Sequence, residues 1–204
     1  MGLISNGTTI FDAGALDSGL AKGAMTFMKK LTASSSATLS FVHGSGGVNF
    51  SSYKEYLFTF KNIHPSNDSD FFQFNVSIDG GSNYNVAKTS TFFRAYHAEA
   101  NNSAALGYEA GSDLAQGTGG QRLTENLIGS DNDQSASGNL HLFNPSSTTF
   151  VKHFIASMSA CHASDFHVQS HISGYVNTTS AINAIQFSTN NNIDTGDICL
   201  YGIT

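Results

Sequence analysis

The sequence predicts an all-β fold, a single β-sandwich of jelly-roll or lectin-like type with about ten to eleven strands. Apolar stretches with period-two alternation recur along the chain after residue 25, and clusters of Gly, Asn, Ser and Pro separate them. The length of 204 residues suits one such domain and leaves little room for a second core. We therefore expect residues 25–204 to form the sandwich and residues 1–24 to form an extended N-terminal arm.

The arm is rich in glycine and lacks a sustained period, which favours an extended segment over a packed one. Its apolar side chains are too scattered to form a core, so we expect them to dock on a neighbouring subunit or along the sandwich. They are Leu3, Ile4, Ile10, Phe11, Leu16 and Leu20, of which the first four are candidate assembly residues. The alternative is an ordinary hairpin with Asn6-Gly7 as its turn, because this dipeptide is favoured in two-residue hairpin loops. Both interpretations stay open.

Five candidate strands occupy the first half of the sandwich region. They are residues 25–31, 37–42, 53–63, 71–78 and 86–96, with breaks such as Gly-Ser-Gly-Gly at 44–47. Alternation along 53–63 places four residues on one face: Tyr56, Phe58, Phe60 and Asn62. Both faces of this strand are partly apolar, so we expect it in the middle of a sheet.

The segment after Pro65 is predicted to return beside strand 53–63 as a long hairpin. The sequence Pro-Ser-Asn-Asp at 65–68 supplies the turn. Alternation in the returning strand points four apolar side chains inward: Phe72, Phe74, Val76 and Ile78.

The second half repeats the pattern after a long polar excursion. Residues 97–120 are dense in Ala, Gly, Asn and Ser, which favours an exposed surface loop with a short strand or helix near 104–108. Six strands follow at intervals of roughly 12 to 16 residues. They are 122–128, 137–143, 150–158, 166–176, 182–188 and 193–203.

The last strand, 193–203, is largely apolar on both faces. Ile198, Leu200 and Gly202 share one face, and the other carries Asp197, Cys199, Tyr201 and Ile203. Such a strand needs partners, so we expect it to be central in a sheet or covered by a neighbouring subunit's arm. Leu200, Tyr201 and Ile203 are therefore further candidate assembly residues.

The composition argues against several classes of function. A net charge of −6 with only nine Lys and Arg does not suit nucleic-acid binding, which needs a cationic surface. No stretch approaches the about 20 apolar residues of a membrane helix, and no secretory signal is recognised, so we expect no membrane contact and synthesis in a cytoplasm. Charged residues make up 12% of the chain, about half the usual share. Such a surface suits permanent assembly, because few ions lose water when subunits pack.

No arrangement of residues predicts an enzyme. The four glutamates Glu55, Glu99, Glu109 and Glu125 stand in separate elements, without the spacing that places two carboxylates on one strand face for glycoside hydrolysis. The Gly-x-Ser-x-Gly motif of serine hydrolases is missing as well. We therefore assign no catalytic residue and no cofactor.

Histidines come nearest to a metal site, with His153, His162, His167 and His171 close together in the sequence. His167 and His171 would share a strand face with His153 on the partner strand, so a three-ligand site is conceivable. The first two would lie about 13 Å apart along the strand, which favours polar residues on a solvated or inter-subunit face. Acidic loops at 68–70 and 131–134 lack a full calcium ligand set. We expect two reduced thiols at Cys161 and Cys199 rather than a bridge.

Five segments carry a family resemblance. They are LTASSSATLSFVHG at 31–44, YKEYLFTFKNIHPSND at 53–68, STFFRAYH at 90–97, GNLHLFNPSSTTFVKHF at 138–154 and TGDICLYGI at 195–203. They resemble stretches of virion structural proteins from marine tailed phages, notably those that infect cyanobacteria. The resemblance implies a capsid decoration protein or a tail or fibre appendage, most often a trimer. The departure is Cys199, where the family ending more often has a β-branched or basic residue.

Two functional hypotheses of different classes follow from the composition and the resemblance. The first is a non-enzymatic structural protein of the phage particle, which associates with copies of itself and with other virion proteins. It implies a virion location after synthesis in the host cytoplasm. The alternative is a carbohydrate-binding module at the tip of an appendage, with a host surface glycan as ligand. The absence of Trp weakens this alternative, although Tyr84, Tyr96 and Tyr108 offer aromatic contacts.

Overall fold

The fold is all-β throughout the part of the chain that the structure describes. The structure is a computed structural model, and it describes residues 3–12, 15–16, 24–125 and 128–204. No helix in these ranges is long and apolar enough to span a bilayer. The strands are β1 (Leu3–Ser5), β2 (Thr8–Asp12), β3 (Ala15–Leu16), β4 (Met25–Ser36), β5 (Leu39–Val42), β6 (Glu55–Pro65), β7 (Gln73–Ser77), β8 (Lys88–Ala98), β9 (Ala104–Tyr108), β10 (Gln121–Arg122), β11 (Ala136–Phe143), β12 (Lys152–His162), β13 (Phe166–Val176), β14 (Ala184–Ser188) and β15 (Ile193–Ile203).

Eight strands form one large antiparallel sheet in the order β4-β15-β6-β11-β12-β13-β8-β9. The last strand, β15, lies between β4 and β6 and pairs with both along its length. The prediction of a central place for this strand is therefore confirmed. Ile198, Leu200 and Gly202 are buried, whereas Tyr201 and Ile203 are half-buried on the opposite face.

A second sheet, β10-β7-β14-β5, packs against one face of the large sheet and completes a β-sandwich. The ring of Phe187 in β14 lies 5.3 Å from Phe58 and 5.2 Å from Phe60, both on β6. Phe41 and Phe72 pack around the same ring. All five rings are buried, and burial of such a side chain contributes about 1.5–3 kcal/mol. The sandwich is confirmed, and its jelly-roll or lectin-like type stays a prediction.

The predicted hairpin between strands 53–63 and 71–78 is wrong. β6 belongs to the large sheet, whereas β7 pairs with β10 and β14 in the small sheet. The intervening segment crosses from one layer to the other, and hydrogen bonds to the buried carboxylate of Asp70 hold it there. Alternation correctly predicted that Phe72, Phe74 and Val76 point inward, but Ile78 lies beyond the strand and is exposed.

Asn62 does not share the face of Tyr56, Phe58 and Phe60. Its φ of 50° accompanies a shift in the register of β6 against β15, which is the signature of a β-bulge. The extra residue turns Ile63 into the core and leaves Asn62 exposed. Asparagine is one of the few residues that tolerate this left-handed conformation.

Residues 3–12 form a hairpin, as the alternative interpretation of the N-terminal segment predicted. β1 and β2 pair around Asn6 and Gly7, whose φ values of 49° and 79° are those of a type I′ turn. β3 adds a third strand to this small sheet. The hairpin interpretation is therefore confirmed for residues 3–12, and Leu20 lies outside the described residues.

Most other strands lie near their predicted positions. β13 and β15 have the predicted bounds, and β9 confirms a short strand within the excursion 97–120. β4 continues unbroken past its predicted end. The predicted strand 122–128 is mostly wrong, because only Gln121–Arg122 pairs as β10 and Ile128 makes isolated bridges; residues 126 and 127 lie outside the described part.

Candidate functional site

The large sheet has one face on the core and another that we call the outer face. Alternation along β12 shows the division: Phe154, Ala156 and Met158 are buried, while His153 and Ile155 are exposed. The small sheet has only four strands and lies on the other side. Side chains of the outer face such as Phe27, Leu106 and Ile155 are more than half exposed, so this face is open to solvent at these positions.

Large apolar side chains are exposed on the outer face at both of its edges. The β4 patch, at one edge, consists of Met25, Phe27 and Tyr201. The ring centroids of Phe27 and Tyr201 lie 5.6 Å apart, yet Phe27 is 56% exposed. Isolated exposed apolar residues are ordinary, but a contiguous group indicates a contact surface.

The β9 patch, at the opposite edge, consists of Phe93, Leu106 and Tyr108. The rings of Phe93 and Tyr108 are edge to face at 5.9 Å, and Leu106 is 80% exposed. Ile155, 54% exposed, lies between the two patches on β12. Six of the ten large exposed hydrophobic residues in the described chain thus lie on this face: Met25, Phe27, Phe93, Leu106, Tyr108 and Ile155.

Several charges on the outer face are locally paired. Asp197 accepts hydrogen bonds from Thr32 Oγ1 at 2.6 Å and from Lys30 Nζ at 3.3 Å. These contacts, the Thr32 hydroxyl first, lower the pKa of the Asp197 carboxyl below its usual value. Glu55 is paired with His141 across β6 and β11. Two carboxylates of the outer face, Asp197 and Glu55, therefore have partners between its apolar edges.

A shallow depression of about 430 Å³ lies beside the β9 patch on the same face. His97 and His167 are direct cross-strand neighbours here, and the Nε2 atom of His167 lies 3.0 Å from Ser159 Oγ. Gln169 and His171 continue the row along β13. The depression combines apolar, imidazole and amide groups, which is a surface suited to a polar ligand with an apolar side or to another subunit.

The histidines are placed on two sides of the sheet. His153, His167 and His171 are exposed on the outer face, whereas His162 is buried on the inner side, where burial lowers the pKa of its imidazole. Within the described ranges no three His, Cys, Asp or Glu side chains are arranged to hold a metal ion. One acidic loop is tied by Asp68, which accepts hydrogen bonds from the backbone N–H and hydroxyl of Ser130.

The three tyrosines proposed for glycan contact do not meet. Tyr108 belongs to the β9 patch, but Tyr96 lies on the inner side of β8 and stacks on Phe166 with centroids 5.7 Å apart. Tyr84 lies in the loop after β7, half-buried near Gly81. They therefore form no common aromatic platform.

The candidate assembly residues are similarly divided. Leu3 and Ile4 are exposed on β1, and Ile10 is half-buried on β2. Phe11 pairs in β2, but its side chain lies outside the described residues. Leu200 is fully buried, so it stabilises the core instead of presenting a surface to a neighbour.

One charged cluster was not predicted from the sequence. The guanidinium of Arg94 lies 3.2 Å from Glu109 and also donates to Glu125. Burial raises the pKa of Glu125 above its usual value in spite of the arginine. Because Arg94 engages both carboxylates, the arrangement favours an ion-pair network over acid and base catalysis. The three residues come from three distant segments, so no local spacing could have revealed them.

The two cysteines are free thiols on the outer face. Cys161 is on β12 and Cys199 on β15, with β6 and β11 between them. Strands about 4.8 Å apart put the two residues at least about 14 Å from each other, which is beyond the about 7 Å limit between the Cα atoms of a disulfide. The two thiols therefore cannot form a disulfide bond within one subunit.

No protein-family model, curated protein or solved structure matches this chain.

Proposed function

We propose that this protein is a non-enzymatic structural component of a phage particle, which self-associates through its outer face and docks on the capsid or tail as a decoration or appendage protein. The observation that carries the proposal is the outer face itself, which exposes six large apolar side chains and pairs several of its charges. Covering a surface of this kind is favourable, because apolar area is removed from water and few charged groups lose their hydration.

The outer face is large enough for a stable contact. Eight strands about 4.8 Å apart and roughly ten residues long at about 3.3 Å per residue cover about 1,300 Å². A standard interface buries about 800 Å² on each partner. One sheet face could therefore supply a complete interface.

The arrangement of the patches suits a closed ring of identical subunits. A ring such as a trimer needs a heterologous contact, in which one surface of a subunit meets a different surface of the next. The β4 patch and the β9 patch are two such surfaces, both apolar and at opposite edges of the sheet. We infer that the β4 patch of one copy contacts the β9 patch of its neighbour, with a trimer as the expected assembly.

The wider assignment rests on the resemblance of five segments to phage virion proteins. It implies other virion proteins as further partners, a location in the virion and synthesis in the host cytoplasm. The low charged fraction of 12% agrees with a permanently assembled protein. The exposed side chains of Leu3 and Ile4 offer a separate apolar contact for docking.

The test is the mass of the protein in solution by light scattering, with variants of each patch. Wild type is expected to be a trimer, while Phe27→Ser and Phe93→Ser are each expected to be monomers with unchanged circular dichroism. An equimolar mixture of the two variants should give a dimer, because each retains the patch that the other has lost. Ile78→Ser is the matched control, since Ile78 is exposed but follows β7 of the small sheet. A wild-type monomer that is absent from purified particles would overturn the proposal.

The alternative function, glycan binding, is favoured by one observation. The depression beside Phe93 and Leu106 combines an aromatic edge with the amide of Gln169, and aromatic and amide groups are common in sugar sites. Glycan-array binding that is lost in Tyr108→Ala but kept in Tyr96→Ala would support this alternative, because Tyr96 is on the other side of the sheet. Absence of binding to any glycan would count against it.

A further inference from the structure

Two lysines are fully buried at the same end of the large sheet. Lys152 pairs with Val176, which in turn pairs with Lys88, so both side chains start from one row of the inner face. Both have 0% exposure. In the described part of the chain, neither makes a salt bridge. A buried lysine without a carboxylate is unusual and calls for an explanation.

The partners of the two amines differ in their chemistry. The Nζ atom of Lys152 donates to the backbone carbonyls of Thr178 and Ser180, at 3.0 and 2.6 Å. These contacts give Lys152 a structural role, since its amine holds the backbone of the turn after β13. The Nζ atom of Lys88 donates to the backbone carbonyl of Val86 at 2.9 Å and to the side-chain Oδ1 of Asn75 at 2.6 Å. A side-chain carboxamide is an acyl group that an amine can attack with loss of ammonia.

The geometry places the amine next to the carbon it would attack. A carbonyl bond is about 1.23 Å long, so a nitrogen 2.6 Å from Oδ1 lies at most about 3.8 Å from Cγ of Asn75. Reactive contacts in enzyme sites start from about 3–3.5 Å. A small rotation of the Lys88 side chain would suffice to reach this range.

The surroundings of Lys88 and Asn75 also favour a neutral amine and a polarised carbonyl, both of which the reaction needs. Burial lowers the pKa of Lys88 to about 8, and no charged group contributes to that shift, so a substantial fraction of the amine is neutral in mildly alkaline solution. The backbone N–H of Val76 donates to the Oδ1 atom of Asn75 at 2.9 Å. It polarises the carbonyl and would stabilise the oxygen anion that forms on attack.

We propose that Lys88 and Asn75 join in an intramolecular isopeptide bond. The neutral Nζ attacks Cγ of Asn75, and the resulting tetrahedral carbon carries its negative charge on Oδ1. A proton passes from Nζ to Nδ2, the bond between Cγ and Nδ2 breaks, and ammonia leaves. One C–N bond forms and one breaks, with no change of oxidation state. The half-buried Asn75 side chain lies close enough to the surface for ammonia to escape.

The bond would join β7 of the small sheet to β8 of the large one. It would fix the loop between these strands and one corner of the sandwich covalently. This inference is independent of the proposed function, because it concerns the interior of a single subunit and not the outer face.

Peptide mapping of the unmodified sequence tests the proposal directly. Trypsin cleaves after Lys61 and Lys88, so an uncrosslinked chain yields peptide 62–88 at full mass. An isopeptide bond blocks cleavage at Lys88 and yields peptide 62–94, lighter by one ammonia. Peptide 62–88 lighter by one ammonia would instead show that an asparagine of the peptide had lost ammonia while Lys88 stayed free, and it would overturn the proposal. Peptide 62–88 at full mass alone, after prolonged incubation above pH 8, would also overturn it.

Two variants and the pH dependence complete the test. Lys88→Met should abolish the loss of ammonia, whereas Lys152→Met, the matched buried lysine, should retain it. The neutral fraction of an amine with a pKa of about 8 rises about tenfold between one unit below and one unit above that value. The bond should therefore form about tenfold faster at the higher pH. A loss of ammonia that persists in Lys88→Met would contradict the proposal.

Discussion

Asp70 and Asn191 are joined by two hydrogen bonds, since one oxygen of the buried Asp70 carboxylate accepts from both the backbone N–H and the side-chain Nδ2 of Asn191, each at 3.1 Å. The other oxygen accepts from the backbone N–H groups of Asn190 and Phe71, each at 2.7 Å. Asp70 is only 1% exposed. One side chain thus ties the crossing from β6 to β7 to the turn between β14 and β15.

We therefore expect Asp70→Ala to destabilise the protein strongly. The substitution removes the buried carboxylate that accepts all four of these hydrogen bonds, and a hydrogen bond to a charged group contributes about 1.5–3 kcal/mol. The expected decrease in the free energy of unfolding is about 3 kcal/mol or more, measured by urea denaturation. Asp133→Ala is the control, because Asp133 is exposed and a surface substitution usually changes stability by less than about 0.5 kcal/mol. Equal stability of the two variants would contradict the role given to Asp70.

Deletion of residues 197–204 is expected to abolish folding. It removes most of a strand that pairs on both sides, together with the buried side chains of Ile198 and Leu200. Truncation of a single buried Leu or Ile to Ala already costs about 2–5 kcal/mol. Deletion of Thr204 alone, which follows the strand, should leave a soluble, folded protein by circular dichroism. A soluble and cooperatively unfolding 1–196 fragment would disprove the expectation.

Two glycines in strands of the large sheet should respond oppositely to substitution by alanine. A Cβ atom on Gly138 would lie 2.2 Å from the carbonyl oxygen of Ser157 and 2.9 Å from the Cα of Met158, which are backbone atoms that cannot move aside. Gly138→Ala is therefore expected to cost about 3 kcal/mol, at the upper end of overpacking effects. A Cβ on Gly107 of β9 meets nothing within 4 Å, so Gly107→Ala should be neutral or stabilising by about 0.4–1 kcal/mol. Thermal unfolding of both variants is the measurement.

The turn after β7 is expected to make stability sensitive to acid. Hydrogen bonds from Ser77 first, and from Asn83, lower the pKa of Asp79 to about 2, whereas an unfolded aspartate titrates near about 3.9. The contribution of this carboxylate is therefore complete above about pH 4 and is lost as the pH falls towards 2. Urea unfolding of Asp79→Asn should show a flatter dependence than wild type over this range and an unchanged dependence between about pH 5 and 7. Identical acid profiles would exclude the predicted linkage.

The faces of the strands followed from the sequence more reliably than their neighbours did. Alternation correctly pointed Phe72 and Phe74 into the core, because the side-chain direction on a strand depends on the local backbone alone. At Asn62 a β-bulge interrupts the alternation of β6, so the prediction that Asn62 shares the face of Phe60 was wrong. The pairing of β6 and β7 was also wrong, since a proline-containing turn is compatible with a hairpin and with a crossing between layers.

By itself the sequence determined the all-β class, the positions of most strands and the inward direction of their apolar side chains. It also determined the scarcity of charge on the surface. Only the tertiary structure decided that the β4 and β9 patches share one open face, that Arg94 joins Glu109 and Glu125, and that Lys88 meets Asn75. The physical reason is that the first set depends on local geometry and composition, whereas the second depends on which distant segments are brought together when two sheets bury a common core.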